Sequence, residues 1–258
     1  MHAEPTEAAD RSFAEYHDTL MALAGASPPH DRPPPNRFRR EPASDAWVGL
    51  PFAGCTLLAE PYPLQERREP DDGGPGLTAV QQYLAAEYRD FAPVPADTLH
   101  MTIADLVSGE SFTRRAAAQP GLLDPVKVLL ALTTPRLAAP IVGRCAGLGV
   151  LSRVIVALVA FDEPDDYATL LRLRESVYTA RAVRDMGVVR RSPFVGHVTL
   201  GYWESSDAAG LAAALGAART IYPSSGVGTI RFEITAVGLY RFAHLAHYTP
   251  IASFSLLG

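Results

Sequence analysis

A short strand pattern occurs twice in this chain. Leu99-His100-Met101-Thr102-Ile103 is matched 97 positions later by Gly196-His197-Val198-Thr199-Leu200. Side chains alternate across a strand, so His100 and Thr102 point to one face and Leu99, Met101 and Ile103 to the other. The same parity puts His197 and Thr199 on one face, with Val198 and Leu200 opposite. Each segment is followed by helix and strand, although the two halves are otherwise dissimilar. Two such strands related by a pseudo-twofold would set two imidazoles and two hydroxyls around one cleft.

A bare His-x-Thr triplet carries little weight. Seven histidines among 258 residues, with the threonine content of this chain, give about 0.4 by chance. The chain has four, and context separates them. His17-Asp18-Thr19 falls in a predicted helix, where the two side chains diverge. His247-Tyr248-Thr249 runs into Pro250, which interrupts a strand ladder. Only the triplets at His100 and His197 lie inside alternating apolar strands.

The rest of the chain supplies strands and helices in alternation. A helix is predicted over 5–24, with Phe13, Tyr16, Leu20 and Leu23 at helical spacing. The breaker-rich segment 25–35 and the basic run Arg37–Arg40 complete an N-terminal extension and linker over 1–46. The main domain is assigned to 47–258. It opens with a strand over Gly54–Ala59, a surface loop over Glu60–Gly76 and a helix over Leu77–Tyr88. The first motif strand spans Leu99–Leu106. Helices are predicted over Pro125–Leu132 and Ala138–Cys145. A buried strand follows at Val154–Phe161, then an amphipathic helix over Asp165–Arg184 with Tyr167, Leu170, Leu171, Leu173 and Val177 inward. The second motif strand spans Phe194–Tyr202. An alanine-rich helix over Ser206–Arg219 takes Ser206 or Asp207 as its cap. Two strands, Arg231–Arg241 and Ile251–Leu257, close the chain. This order indicates α+β or α/β rather than all-β.

Composition narrows the chemistry. Lys127 is the only lysine among 23 basic residues, and it sits in Pro-Val-Lys-Val-Leu-Leu. A phosphate-binding Walker loop needs a glycine-rich turn ending in Lys and Ser or Thr, so the sequence disfavours that chemistry, as it does transfer through a lysyl adenylate. Cys55 and Cys145 are too few for a zinc cluster or a disulfide framework, and Cys55 is expected to be buried in its strand. The net charge of −5 disfavours tracking along an extended duplex, though not a local pocket for a small anion. With no signal pattern and no long apolar run, a cytoplasmic protein with no membrane contact is expected.

Histidine is what remains for acid–base work near neutral pH. One neutral imidazole can take a proton from water or a ribose hydroxyl while the other, protonated, gives one to a leaving oxygen. Threonine hydroxyls can donate to nonbridging phosphate oxygens. Such chemistry needs no metal and no cofactor.

The paired His-apolar-Thr-apolar motifs resemble those of the two-histidine phosphoesterase superfamily, which includes bacterial 2′-5′ RNA ligase-like proteins and cyclic nucleotide phosphodiesterases. The resemblance covers roughly 47–258. It implies an α+β fold, bilobal, with two pseudo-symmetric antiparallel-rich sheets flanked by helices around a central cleft. It implies a catalytic pair, His100 and His197, and phosphate-holding Thr102 and Thr199. Some relatives carry an aromatic three residues past the second hydroxyl. Tyr202 matches, although strand parity points it away from the cleft. The implied activity is metal-independent hydrolysis of a cyclic phosphodiester, a 2′,3′-cyclic nucleotide or RNA terminus. Alternatives are RNA end joining or 2′-5′ linkage processing, and a non-catalytic module that binds a nucleotide or phosphate. The pair His244 and His247, joined by a motif histidine, could make a zinc site, but a turn between strands explains them. Arg190 and Arg191 could attract a phosphate or form a solvated loop. Oligomeric state leaves no mark in the sequence.

Overall fold

Two antiparallel sheets meet along the motif strands. In the computed structural model, residues 9–29, 32–68, 76–221 and 230–258 are described. Helix α1 (Phe13–Gly25) precedes a hairpin of β1 (Phe38–Arg40) and β2 (Trp47–Gly49). Next come β3 (Gly54–Glu60), a short β4 (Arg67–Arg68), α2 (Leu77–Glu87), a short β5 (Phe91–Pro93) and β6 (Thr102–Ser108). After α3 (Glu110–Ala118) and α4 (Asp124–Thr133) lie β7 (Ile141–Leu151), β8 (Val154–Phe161), α5 (Pro164–Thr179), α6 (Arg181–Asp185) and β9 (His197–Trp203). Helix α7 (Ala208–Ile221) leads to β10 (Ile230–Ile234), β11 (Ala236–His244) and β12 (His247–Ser255).

One sheet has the order β12-β11-β3-β6 and the other β4-β10-β7-β8-β9-β5. The units β3–α2–β6 and β8–α5–β9 repeat one plan: an apolar strand, a covering helix, and a motif strand antiparallel to the first. An antiparallel bridge between Met101 and Val198 joins the sheets. This is the α+β, bilobal, antiparallel-rich fold that the motif resemblance implies.

Apolar periodicity explains most elements. Every β8 residue from Ile155 to Phe161 is buried, as a continuous apolar run in a central strand should be. Pro164 occupies the first turn of α5, where its missing N–H costs nothing. Asp207 caps α7, its carboxylate accepting from the Ala209 and Gly210 N–H groups at 3.0 Å each. No helix among the described residues is long and apolar enough to cross a membrane.

Both motif strands begin three residues later than expected, β6 at Thr102 and β9 at His197, so His100 stands just before its strand. Four further expectations need correction. Ala138–Cys145 is not a helix; Ile141 onward forms β7, held on both edges by β8 and β10. Pairing on two sides outweighs the local helical pattern. At Gly143 a Cβ would lie 2.7 Å from Val159, so a side chain there would clash in the ladder. The expected helix over Asp165–Arg184 breaks at Ala180, whose extended backbone separates α5 from α6. Arg231–Arg241 is two strands, because the chain leaves one sheet after Ile234 and enters the other at Ala236. The last strand begins at His247 rather than Ile251, and Pro250 is tolerated because β12 is a sheet edge.

Within the expected N-terminal helix, 5–8 lie outside the described residues. The helix itself starts at Phe13, with Ser12 and Glu15 forming a reciprocal capping box. It packs into the core: Tyr16 and Leu20 are buried, and Tyr16 stacks on Tyr167 with ring centroids 4.4 Å apart. Of the loop expected over Glu60–Gly76, 69–75 lie outside the described residues, and Arg67–Arg68 pair with β10.

Candidate active site

Where the sheets meet, a cleft of about 510 Å³ is lined by His100, Thr102, His197, Thr199 and Tyr202 together. The Met101–Val198 bridge sets the register of this join. Antiparallel pairing about it brings Thr102 next to His197, and His100 next to Thr199. Each imidazole therefore sits beside the hydroxyl of the other motif.

Both rings are anchored in the same way. His100 Nδ1 lies 2.6 Å from the Thr98 carbonyl oxygen, and His197 Nδ1 lies 2.7 Å from that of Val195. A carbonyl only accepts, so each Nδ1 carries the proton and donates. In the neutral ring, Nε2 is then the nitrogen with the free lone pair. Burial lowers the His100 pKa to about 4, aided by the nearby His197 and opposed by the Thr98 carbonyl. Burial also lowers that of His197, opposed by the Val195 carbonyl and by the Asp105 carboxylate.

Two β-bulges shape the rest of the wall. On β9, Thr199 pairs with Val156 but Gly201 with Ile155, so Leu200 is the extra residue. The phase of the strand changes there, and Tyr202 joins His197 and Thr199 on the cleft side, against the expectation from simple parity. On β6, Thr102 pairs with Leu58 but Ala104 with Leu57, so Ile103 is extra. Asp105, third after Thr102, is thereby turned into the cleft as Tyr202 is, third after Thr199. Both bulges are pinned by buried side chains from the covering helices. Arg174 on α5 donates to the Ile103 carbonyl at 2.6 Å, and Gln81 on α2 donates to the Leu200 carbonyl at 2.6 Å.

The two ends of the cleft differ. Around His100 the wall is aromatic: Tyr248 meets it edge-on at 4.5 Å and Tyr62 lies at 6.1 Å. Burial pushes the Tyr62 phenol up to about 12, and raises Tyr202 and Tyr248 as well. At the other end Arg115, Arg174 and Arg191 line the cleft, locally reversing the chain's negative charge. Asp105 is the one acidic side chain among the described lining residues.

Of the other sequence candidates, Arg191 and Cys55 reach the cleft wall, whereas Arg190, His244 and His247 do not line it. Arg190 bonds to Asp10 at 3.0 Å and Glu175 at 2.7 Å, a structural role. Cys55 is buried, and burial pushes its thiol up to about 11. His244 and His247 pair with each other at the β11–β12 turn, where His244 Nδ1 accepts from the Ala246 N–H at 3.2 Å. Among the described residues no group of three or more His, Cys, Asp or Glu is arranged to hold a metal ion.

Sequence reasoning misses Asp105, Tyr62, Tyr248, Arg115 and Arg174. Asp105 has a signal, its offset from Thr102 being that of Tyr202 from Thr199. The others come from segments remote in sequence.

No family model matches the sequence, and no curated protein matches it. Among solved structures, a conserved protein of unknown function from Agrobacterium tumefaciens strain C58 superposes with a TM-score of 0.52 at 19% identity, over 92% of this chain and 98% of that one. The two share a fold. The protein TT0787 of Thermus thermophilus matches with a TM-score of 0.47 at 19% identity, over 79% of this chain and 98% of its own. LigT of E. coli, in complex with 3′-AMP, matches with a TM-score of 0.41 at 19% identity, over 80% of this chain and 99% of its own.

Proposed function

We propose that this chain is a two-histidine phosphoesterase that hydrolyses a cyclic phosphodiester, a 2′,3′-cyclic nucleotide or RNA terminus, to a monoester. One observation carries this reading. Two imidazoles anchored identically through Nδ1 line one cleft, each beside the threonine of the opposite motif. A lone structural histidine needs no such partner.

The residues divide the work as follows. One neutral Nε2 takes a proton from water as its oxygen attacks phosphorus. The other imidazole, protonated at Nε2, gives its proton to the ribose oxygen as the ring P–O bond breaks. Thr102 and Thr199 donate to the nonbridging oxygens. Tyr202 and Tyr248 offer aromatic surface to a base, and Arg115 and Arg191 meet a further negative charge. A cleft of about 510 Å³ suits a mononucleotide or an RNA end rather than a duplex. We assign the protein to the cytoplasm, acting without cofactor or metal.

The test is a panel of 2′,3′-cyclic nucleotides and an oligonucleotide ending in a cyclic phosphate. His100→Ala and His197→Ala each lower turnover by at least about a hundredfold, while EDTA leaves it unchanged. Full activity in either variant overturns the proposal. Turnover of the oligonucleotide alone redirects it to RNA end processing, and tight binding without turnover to a binding module.

A further inference from the structure

We infer that Asp105 divides the roles of the two histidines, holding His197 as the general acid and leaving His100 as the general base. This rests on the two-histidine reading above. The observation is a broken symmetry. Tyr202 and Asp105 occupy equivalent positions, each third after the motif threonine and each turned into the cleft by a one-residue bulge. One is a phenol and the other a carboxylate.

The strand register decides which histidine each one serves. From Thr102, β6 runs antiparallel to β9 and so passes toward the residues before His197. Asp105 thus lies on the His197 side of the join. By the same argument Tyr202 lies on the His100 side, where Tyr62 and Tyr248 complete an aromatic enclosure. A carboxylate stabilises an imidazolium, whereas an aromatic enclosure strips water from it and favours the neutral ring. The remaining charged groups of the cleft, Arg115, Arg174 and Arg191, oppose a protonated imidazole at either position. Two of them are occupied: Arg174 lies 3.7 Å from Asp10, and Arg115 donates to the Asp185 carbonyl at 3.1 Å. Tyr178 on α5 donates its hydroxyl to the Asp105 backbone carbonyl at 3.0 Å, which holds in place the backbone that carries the carboxylate.

The proton balance closes with this assignment. His100 Nε2 accepts a proton from the attacking water, and a P–O bond forms. The ester P–O bond breaks, and its oxygen takes the Nε2 proton of His197. Solvent then resets both rings. Asp105 touches no reacting atom and is a positioning residue, acting through His197.

The ring resonances of both histidines, followed by NMR through a pH titration of the full chain, test this directly, with the alanine variants assigning the signals. In the wild type His197 titrates above His100. Asp105→Asn lowers the His197 midpoint by roughly half to one unit and moves that of His100 much less. In the pH–rate profile of cyclic phosphate hydrolysis, the alkaline limb follows the histidine of higher midpoint, which the assignment makes His197. Asp105→Asn therefore shifts that limb to lower pH by the same amount and leaves the acid limb in place, and Asp105→Glu restores it. A shift of the acid limb instead gives His197 the lower midpoint and overturns the assignment. An unmoved His197 in an active enzyme overturns the role of Asp105 alone. A wild type that hydrolyses no cyclic phosphate overturns the hydrolase reading and the division of roles with it, while the NMR midpoints still report whether Asp105 acts on His197.

Discussion

His100 and His197 occupy matching backbone positions, yet their surroundings are unlike. Behind His100 stand Tyr248 at 4.5 Å and Tyr62 at 6.1 Å, from β12 and the loop after β3. Behind His197 the preceding residue, Gly196, donates its N–H to the Tyr16 hydroxyl of α1 at 3.2 Å, and that hydroxyl donates to the Val159 carbonyl. Asp10, just before α1, accepts from the Phe194 N–H at 2.7 Å. The second motif is thus braced by an N-terminal segment with no counterpart at the first among the described residues. The repeat provides two anchored imidazoles and two hydroxyls. Asp105 and Tyr202 at equivalent positions, together with side chains from outside the repeat, make the two sides chemically different.

The largest expected effect breaks that comparison by leaving group. On a cyclic nucleotide, His100→Ala and His197→Ala both lose about 10²- to 10⁴-fold in turnover. An activated aryl phosphodiester expels its leaving group without a proton. On that substrate His197→Ala recovers most of its loss and His100→Ala does not. Steady-state rates on the two substrates measure the ratio. Equal recovery in both variants would mean that the two sides are interchangeable.

Next in size is the difference between the two bulge anchors. Gln81 spends its amide on the Leu200 and Val94 carbonyls, at 2.6 and 2.7 Å. Arg174 donates to the Ile103 carbonyl, lies 3.7 Å from Asp10 and stacks over Tyr178 and Phe194. Removing Arg174 strands part of a buried ion pair as well as a carbonyl. Arg174→Met is expected to cost about 3 kcal/mol, and Gln81→Leu about 1–2 kcal/mol, in urea denaturation. If Gln81→Leu costs as much, the charge contributes nothing beyond the hydrogen bond.

Much of this arrangement is legible in the sequence, and the physics says why. Strand parity is local, so His100, Thr102, His197 and Thr199 can be assigned to one face each before any fold is known. A continuous apolar run marks β8, and helical spacing marks α2 and α5. What stays hidden is whatever depends on pairing. The bulge at Leu200, which turns Tyr202 inward, exists only because β9 pairs with β8 out of phase there. The segment of β7 reads as a helix because its glycines and two nearby prolines carry no strand signal without the neighbours that hold it. The capping box of Ser12 and Glu15 is a local signal for the true start of α1, and apolar spacing alone passes over it.

The smallest effect concerns stability rather than turnover, and it isolates the aromatic side of the cleft. An imidazole in the unfolded chain takes up a proton near pH 6.5. In the folded protein the aromatic enclosure delays that step for His100 until about pH 4. Between these values the unfolded state binds a proton that the folded state refuses. Stability therefore falls as pH is lowered through this window, and His100 adds no further change below it. Above pH 6.5 the ring is neutral in both states and contributes no pH dependence. Replacing His100 by Leu removes the proton from both states, so the fall in urea midpoint between pH 6.5 and 4 becomes shallower than in the wild type. An identical slope for the His100→Leu variant and the wild type would show that the aromatic side of the cleft does not hold its histidine neutral, and the contrast with His197 would lose its basis.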